Sequence, residues 1–166
     1  MPAIPTLSSL PKLPKSTFEA YQTVTALPQG KRIFSLLYQQ KAPYFGSAHI
    51  QVREMRANRG EILVPKRRSV QNHIGTVHVI AIANGLEAAM GLLAEATTPA
   101  DMRWLPKGME LEYVGMANSD ILCVAETTDA DWANAPEVPV KVTATRADGT
   151  VVVQGTIHLW VTPKKR

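Results

Sequence analysis

The sequence predicts an α+β fold in which a curved antiparallel sheet wraps a single long buried helix, with extra helices at the N-terminus. Three observations lead there. Residues 77–96 run too long for a strand, are rich in Ala, Leu and Met, and are apolar nearly all round, so a helix at that place needs cover on most sides. Segments before and after it alternate apolar and polar residues with the period of two that marks half-buried strands. Asp148-Gly149, between two such segments, is a strong hairpin signal. Strands gathered into one sheet around one helix satisfy all three.

The elements follow in order. Residues 1–15 read as an extended lead-in: Pro2, Pro5, Pro11 and Pro14 punctuate it, and it lacks the continuous apolar stretch of a secretory signal. Residues 16–166 read as a single domain, and 166 residues suffice for a core that needs no disulfide or metal. Ser16-Thr17-Phe18-Glu19 fits a capping box that opens a short helix, ended by Pro28-Gln29-Gly30. A second helix over 31–41 sets Ile33, Phe34, Leu37 and Tyr38 on one face and stops before Pro43. From residue 47, Ala48, Ile50 and Val52 alternate with His49, Gln51 and Arg53, and Asn58-Arg59-Gly60 turns the chain into a second strand over 61–64. After the long helix and Pro99 come four more strands, over 109–114, 120–127, 138–145 and 151–161. Such a sheet leaves edges, and dimerisation through an edge strand hides one.

Composition narrows the function. The hydrophobic share of 45% is ordinary for a soluble domain, and no uninterrupted apolar run reaches the roughly 18 residues of a membrane span. The formal charge is +4, with basic residues gathered over 53–68 and in Lys164-Lys165-Arg166. Few aromatics interleave them, which suits a phosphorylated small partner and argues against a nucleic acid. The one cysteine, Cys123, lies in the apolar run 121–125 and reads as a buried small hydrophobe. A chain with no internal disulfide suits a reducing cytoplasm.

Between Arg68 and Glu95 the only formal charge is Glu87, with both histidines taken as neutral. Burying an unpaired carboxylate costs on the order of several kcal/mol unless it keeps its proton, and either outcome suits a general acid or base. The competing reading sets Glu87 at a wet rim or against a structural Arg. Asn84, three residues earlier on the same helical face, extends the polar stripe. Ahead of the helix stands Asn72-His73-Ile74-Gly75-Thr76-Val77-His78. Gly75 permits a turn with close backbone approach, and free N–H groups at the helix N-terminus can hold a developing oxyanion. His78 or Asn72 would orient substrate or water, although a histidine taken singly is more often structural. His73 and His78 stand five apart with no accompanying ligand motif, which argues against a metal site. Neither a nucleophile elbow nor a phosphate-cradling Gly-rich loop is present.

Asn72-x-x-Gly75-x-x-His78, followed nine residues later by Glu87, resembles the signature of hotdog-fold thioesterases of the phenylacetate-pathway type, over roughly residues 44–162. The longer wording that begins Pro43-Tyr44-Phe45 resembles a bacterial branch of that superfamily. The resemblance implies the hotdog fold, a homodimer or dimer of dimers with each site at a subunit interface, and acyl thioesters of coenzyme A or an acyl carrier protein as substrates. Coenzyme A enters as part of the substrate, with no separate cofactor. The resemblance also implies that Glu87 activates water or attacks directly, that the backbone of 75–80 binds the thioester carbonyl, and that Asn72 and His78 position the groups. His73, Gly75, Thr76 and Asn84 would lie against the substrate. Lys66-Arg67-Arg68, just before the turn, would neutralise the phosphates of coenzyme A or else form a solvated strand end.

Two departures stand out. Val79-Ile80 follow His78 where the family carries two glycines, and residues 103–108 lack the Ser or Thr that some members place there. Two other activities fit the same residues: a hydratase or dehydratase pairing His73 with Glu87, and a non-catalytic module that binds acyl thioesters.

Overall fold

The computed structural model describes residues 14–164; the expectations for residues 1–13 and for Lys165-Arg166 lie outside them. Helix α1 (Thr17–Thr25) opens on Ser16, whose Oγ accepts from the Glu19 N–H at 3.1 Å. The Glu19 carboxylate accepts from the Lys15 N–H instead of reaching back to Ser16, so the expected box is half formed. Helix α2 (Gly30–Lys41) buries Phe34, Ser35 and Tyr38. Ile33 and Leu37, expected on the same face, are exposed.

The rest of the chain runs β1 (Gln51–Arg56), β2 (Arg59–Val64), α3 (Val79–Thr97), β3 (Met102–Tyr113), β4 (Ile121–Glu126), α4 (Asp129–Trp132), β5 (Glu137–Arg146) and β6 (Val151–Pro163). The short α4, absent from the sequence reading, is opened by a capping box between Thr128 and Asp131. Strand β1 starts at Gln51 because Pro43–Ala48 closes into a 3-10 turn. Strand β3 begins at Met102, earlier than its alternation predicts. Pro106 breaks the sequence pattern, yet it sits at a bulge on an edge strand, where a missing N–H does no harm.

All six strands pair antiparallel in one sheet of order β1-β2-β4-β5-β6-β3. The sheet curves around α3 to give the hotdog fold. Gly85 of α3 meets Val64 and Cys123, and Gly60 of β2 meets the Ala89 carbonyl. Cys123 is fully buried, and burial pushes its thiol well above the ordinary range. By length and composition α3 is apolar enough to cross a membrane, because Asn84, Glu87 and Glu95 interrupt the run without lowering its mean much. In the fold most of it is enclosed.

The two sheet edges are treated differently. Helix α2 covers β1 with side chains: the Val52 N–H donates to Ser35 Oγ at 2.9 Å, Gln39 Nε2 donates to the Ile50 carbonyl at 2.9 Å, and Lys31 Nζ donates to the Arg53 carbonyl at 2.7 Å. This is why Ser35 faces inward and Ile33 outward. Ser35→Ala strands a buried N–H, so it should cost about 1–3 kcal/mol, read as a lower urea midpoint. An unchanged midpoint would show that β1 does not depend on this cover.

Strand β3 has no such cover among the described residues. Met109 and Tyr113 pair with Ile157 and Val153, which are buried on the helix side of the sheet. Paired residues share a face, so Met109 and Tyr113 also point to the core side, yet they are 40% and 62% exposed. The sheet therefore extends beyond its own helix at this edge.

Candidate active site

Asn72 builds the turn that leads into α3. Its Nδ2 donates to Thr76 Oγ1 at 2.8 Å, and its Oδ1 accepts from the N–H groups of Ile74 and Thr76 at 3.2 and 3.1 Å. These bonds occupy the side chain within the turn, which makes Asn72 a positioning residue. Gly75 has φ of +79°, in the left-handed region, and a Cβ there would meet nothing within 4 Å. The turn needs glycine for its conformation, not for the close approach expected. Thr76 is buried beneath the turn, and His73 is exposed on it.

His78 caps α3. Its Nδ1 accepts from the Ile80 N–H at 3.1 Å, so the neutral ring carries its proton on Nε2. The amides of 75–80 were expected to hold a carbonyl, but most are engaged. Gly75 donates to the Asn72 carbonyl, Thr76 to Asn72 Oδ1, Val77 to the Ala117 carbonyl, His78 to the Val70 carbonyl and Ile80 to His78. Within 75–80, the N–H of Val79 is the one with no acceptor among the described residues, and it lies at the positive end of the helix dipole.

A cavity of about 370 Å³ lies between this helix start, the 3-10 turn Pro43–Ala48 and residues 69–71, with Tyr44, Ser47, Ser69, His78, Ile80 and Asn84 among its lining. Asn84 is 6% exposed. Its Nδ2 donates to the Tyr44 carbonyl at 3.1 Å and to Ser47 Oγ at 3.3 Å. A carbonyl can only accept, so the amide cannot be turned around. Oδ1 is left buried without a donor, a costly arrangement that a ligand N–H or O–H would relieve.

Glu87 sits one turn further on, half-buried, with no hydrogen bond or ion pair among the described residues. The structural Arg partner of the competing reading is therefore not found there. At about 100° per residue, Glu87 points about 200° away from Gly85 and hence away from the sheet. The next residue on that face, Gly91, lies against the Tyr38 hydroxyl and the Trp104 ring. Tyr38 donates to the Ala88 carbonyl at 3.1 Å, and its phenol is pushed well above its ordinary range by burial, then by Glu95 and Glu87.

The three basic residues before the turn separate. Lys66 is tied to the loop before β4, donating from its N–H to Asp120 Oδ1 at 2.8 Å and from Nζ to the Asn118 carbonyl at 3.2 Å. Arg68 is exposed. Arg67 lines a second cavity of about 400 Å³, between α2 and β1. His49, with its Nε2 at 3.0 Å from Ser69 Oγ, stands between the two cavities. The structure thus gathers His78 and Asn84 with Tyr44, Ser47 and Ser69, sets Glu87 on the adjoining turn, and leaves His73 outside. Ser47, Ser69 and the neighbouring His49 carry no sequence signal, since isolated loop serines and a strand-patterned histidine are common everywhere.

Residues 30–161 match the family described as Domain of unknown function (DUF4442). No curated protein matches the sequence. The crystal structure of the genomics target APC5556 is 36% identical with a TM-score of 0.80, covering 89% of this chain and 99% of its own. The Pseudomonas aeruginosa protein PA5026, a probable thioesterase, is 17% identical with a TM-score of 0.69, covering 83% of this chain and 97% of its own. A thioesterase family protein from Silicibacter pomeroyi is 16% identical with a TM-score of 0.66, covering 78% of this chain and 96% of its own. At identities this low, the likeness to the last two is one of fold. The match over 30–161 makes this chain a member of the DUF4442 family, and its hotdog architecture is the one those solved structures share.

Proposed function

We propose that the protein is a homodimeric hydrolase of acyl thioesters, with coenzyme A as the carrier and Glu87 as the catalytic carboxylate. The observation that carries this reading is the placement of Glu87: an unpaired, half-buried carboxylate on the side of α3 turned away from Gly85 and its contacts on β2 and β4. Glu87 takes a proton from water as the hydroxide adds to the thioester carbonyl carbon. The C–S bond then breaks, and the departing sulfur takes the proton back from Glu87, leaving a carboxylic acid and a thiol. The carbonyl oxygen, negative in the intermediate, needs a donor, and the Val79 N–H, which has no acceptor among the described residues, is available for it.

Helix geometry supports a site shared between two chains. Val79 and Glu87 are eight residues apart, or about 12 Å along the axis, too far for one carbonyl group to meet both. Pairing two copies along their β3 edges covers Met109 and Tyr113 and sets two α3 helices side by side in opposite directions. One protomer's Glu87 then faces its partner's helix start. The expected mass in solution, by light scattering, is twice that of one chain or a multiple of it. Leu111→Lys and Met109→Lys together should shift it toward the monomer, and a wild-type monomer that hydrolyses thioesters would overturn the shared site.

The reaction is tested with a panel of acyl-CoAs, following free thiol, with enoyl-CoA hydration measured separately. Thiol release that disappears in Glu87→Ala supports hydrolysis. Release that survives the substitution removes Glu87 from the mechanism, hydration alone promotes the dehydratase, and tight binding without turnover leaves a binding module.

A further inference from the structure

The second cavity is lined by an unbalanced group of basic side chains. Lys31 and Arg32 from α2, Arg53 from β1 and Arg67 from the segment after β2 all line it, and no Asp or Glu does. None of the four has a carboxylate partner among the described residues, whereas Arg56, Arg59 and Arg146 each have at least one. Lys31 and Arg32 also occupy the first turn of α2, which holds no acidic residue. Cations there oppose the helix dipole and one another. Four uncompensated positive charges around one concavity weaken the fold locally unless an anion joins them.

The cavity is also connected to the candidate active site. The backbone of 48–50 passes from one cavity to the other, with Ala48 lining the first and Ile50 the second, and Ser69 and Arg67 repeat that arrangement on the facing segment. The His49–Ser69 contact joins the two walls, and His49 is held at φ of +52°, a conformation uncommon outside glycine. On the far side of this ridge waits the unpartnered Asn84 Oδ1. A single ligand with amide N–H groups at one end and phosphates at the other would satisfy both cavities.

We infer that the cavity between α2 and β1 binds the phosphorylated end of the thioester carrier, namely the adenosine 3′-phosphate and pyrophosphate of coenzyme A, held by Lys31, Arg32, Arg53 and Arg67. The pantetheine arm crosses at His49–Ser69, and one of its amide N–H groups donates to Asn84 Oδ1. This rests on the hydrolase reading for the identity of the carrier, but the phosphate site stands on its own charges. A concavity of about 400 Å³ fits a small phosphorylated ligand, which favours coenzyme A over the flat acidic face of a carrier protein.

The test uses the full chain and adenosine 3′,5′-bisphosphate, which has no thioester and cannot report on Glu87. Calorimetry should show binding that weakens as salt is raised. The exposed-residue variant Arg32→Glu/Arg53→Glu, checked for an unchanged melting temperature, should lose about 10- to 100-fold in affinity. Arg67→Glu provides the same reading from a separate segment. Pyrophosphate should compete, and coenzyme A should bind more tightly than the bisphosphate because it also reaches Asn84. If the bisphosphate binds and thioesters are not hydrolysed, the inference stands and the hydrolase reading falls. If acyl-CoA is hydrolysed while the bisphosphate fails to bind, or binds equally well to both charge-reversed proteins, the inference is overturned and the hydrolase reading remains. Hydrolysis restricted to acyl-carrier-protein thioesters overturns it as well.

Discussion

Replacing Glu87 by Gln should lower kcat for acyl-CoA hydrolysis by about 10²- to 10⁴-fold, the usual contribution of a positioned general base, while leaving KM nearly unchanged. The substitution keeps size and shape and removes only the ability to hold a proton from water. Glu87 has no protein partner among the described residues, so the amide strands no cation and breaks no hydrogen bond within the chain. A fall in kcat without a change in melting temperature therefore reports chemistry and not damage to the fold. An interaction made only in the transition state lowers kcat and kcat/KM together. A variant whose KM alone rises would instead show Glu87 to be a binding group. Because the proposed site is shared, mixing Glu87→Gln chains with chains blocked at the helix start should restore part of the activity, which a site confined to one chain cannot do.

Much of this was legible in the sequence because it depends on local periodicity. The long apolar run became α3, the alternations became strands, and Glu87 stood out as the one charge between Arg68 and Glu95. What was not legible depends on contacts between distant segments. The early start of β3 was hidden by Pro106, which a central strand would reject and an edge strand accepts. The exposed Ile33 and Leu37 follow from Ser35 and Gln39 turning toward β1, a pairing that no helical wheel contains. The fate of the amides over 75–80 depended on Val70 and Ala117, which lie outside the motif. The cationic cavity draws Lys31, Arg32, Arg53 and Arg67 from three segments, so in the sequence it was only a faint excess of basic residues. The spacing from Asn72 to Glu87 singles out α3 for the proposed site, but the free Val79 N–H and the stranded Asn84 oxygen emerge only from complete hydrogen-bond accounting.

Gly60→Ala should be among the most damaging single-methyl changes in the fold. A Cβ at Gly60 would lie 2.0 Å from the Ala89 carbonyl oxygen, 3.0 Å from its carbon and 3.1 Å from the Leu93 nitrogen. All three are backbone atoms of α3, so no rotamer change relieves the contact; the helix must lift from β2 or the strand must bend. Lifting the helix loosens Leu86, Ala89 and Leu93, which are fully buried. Overpacking of this kind costs about 3 kcal/mol, which for a domain of this size lowers Tm by about 6–12 °C. Gly108→Ala is the control: it removes a glycine from β3 where a Cβ would meet nothing within 4 Å, and it should stay within about 0.5 kcal/mol of the wild type. The pair separates the loss of a glycine from the loss of a close approach. Equal melting temperatures for the two variants would mean that α3 does not rest on the β2 backbone at Gly60. If only Gly60→Ala melts early, thiol release should fall with it even below the melting transition. The same helix carries the proposed catalytic Glu87, and a shift of about 1 Å in a catalytic group is enough to cost about 10²-fold in rate.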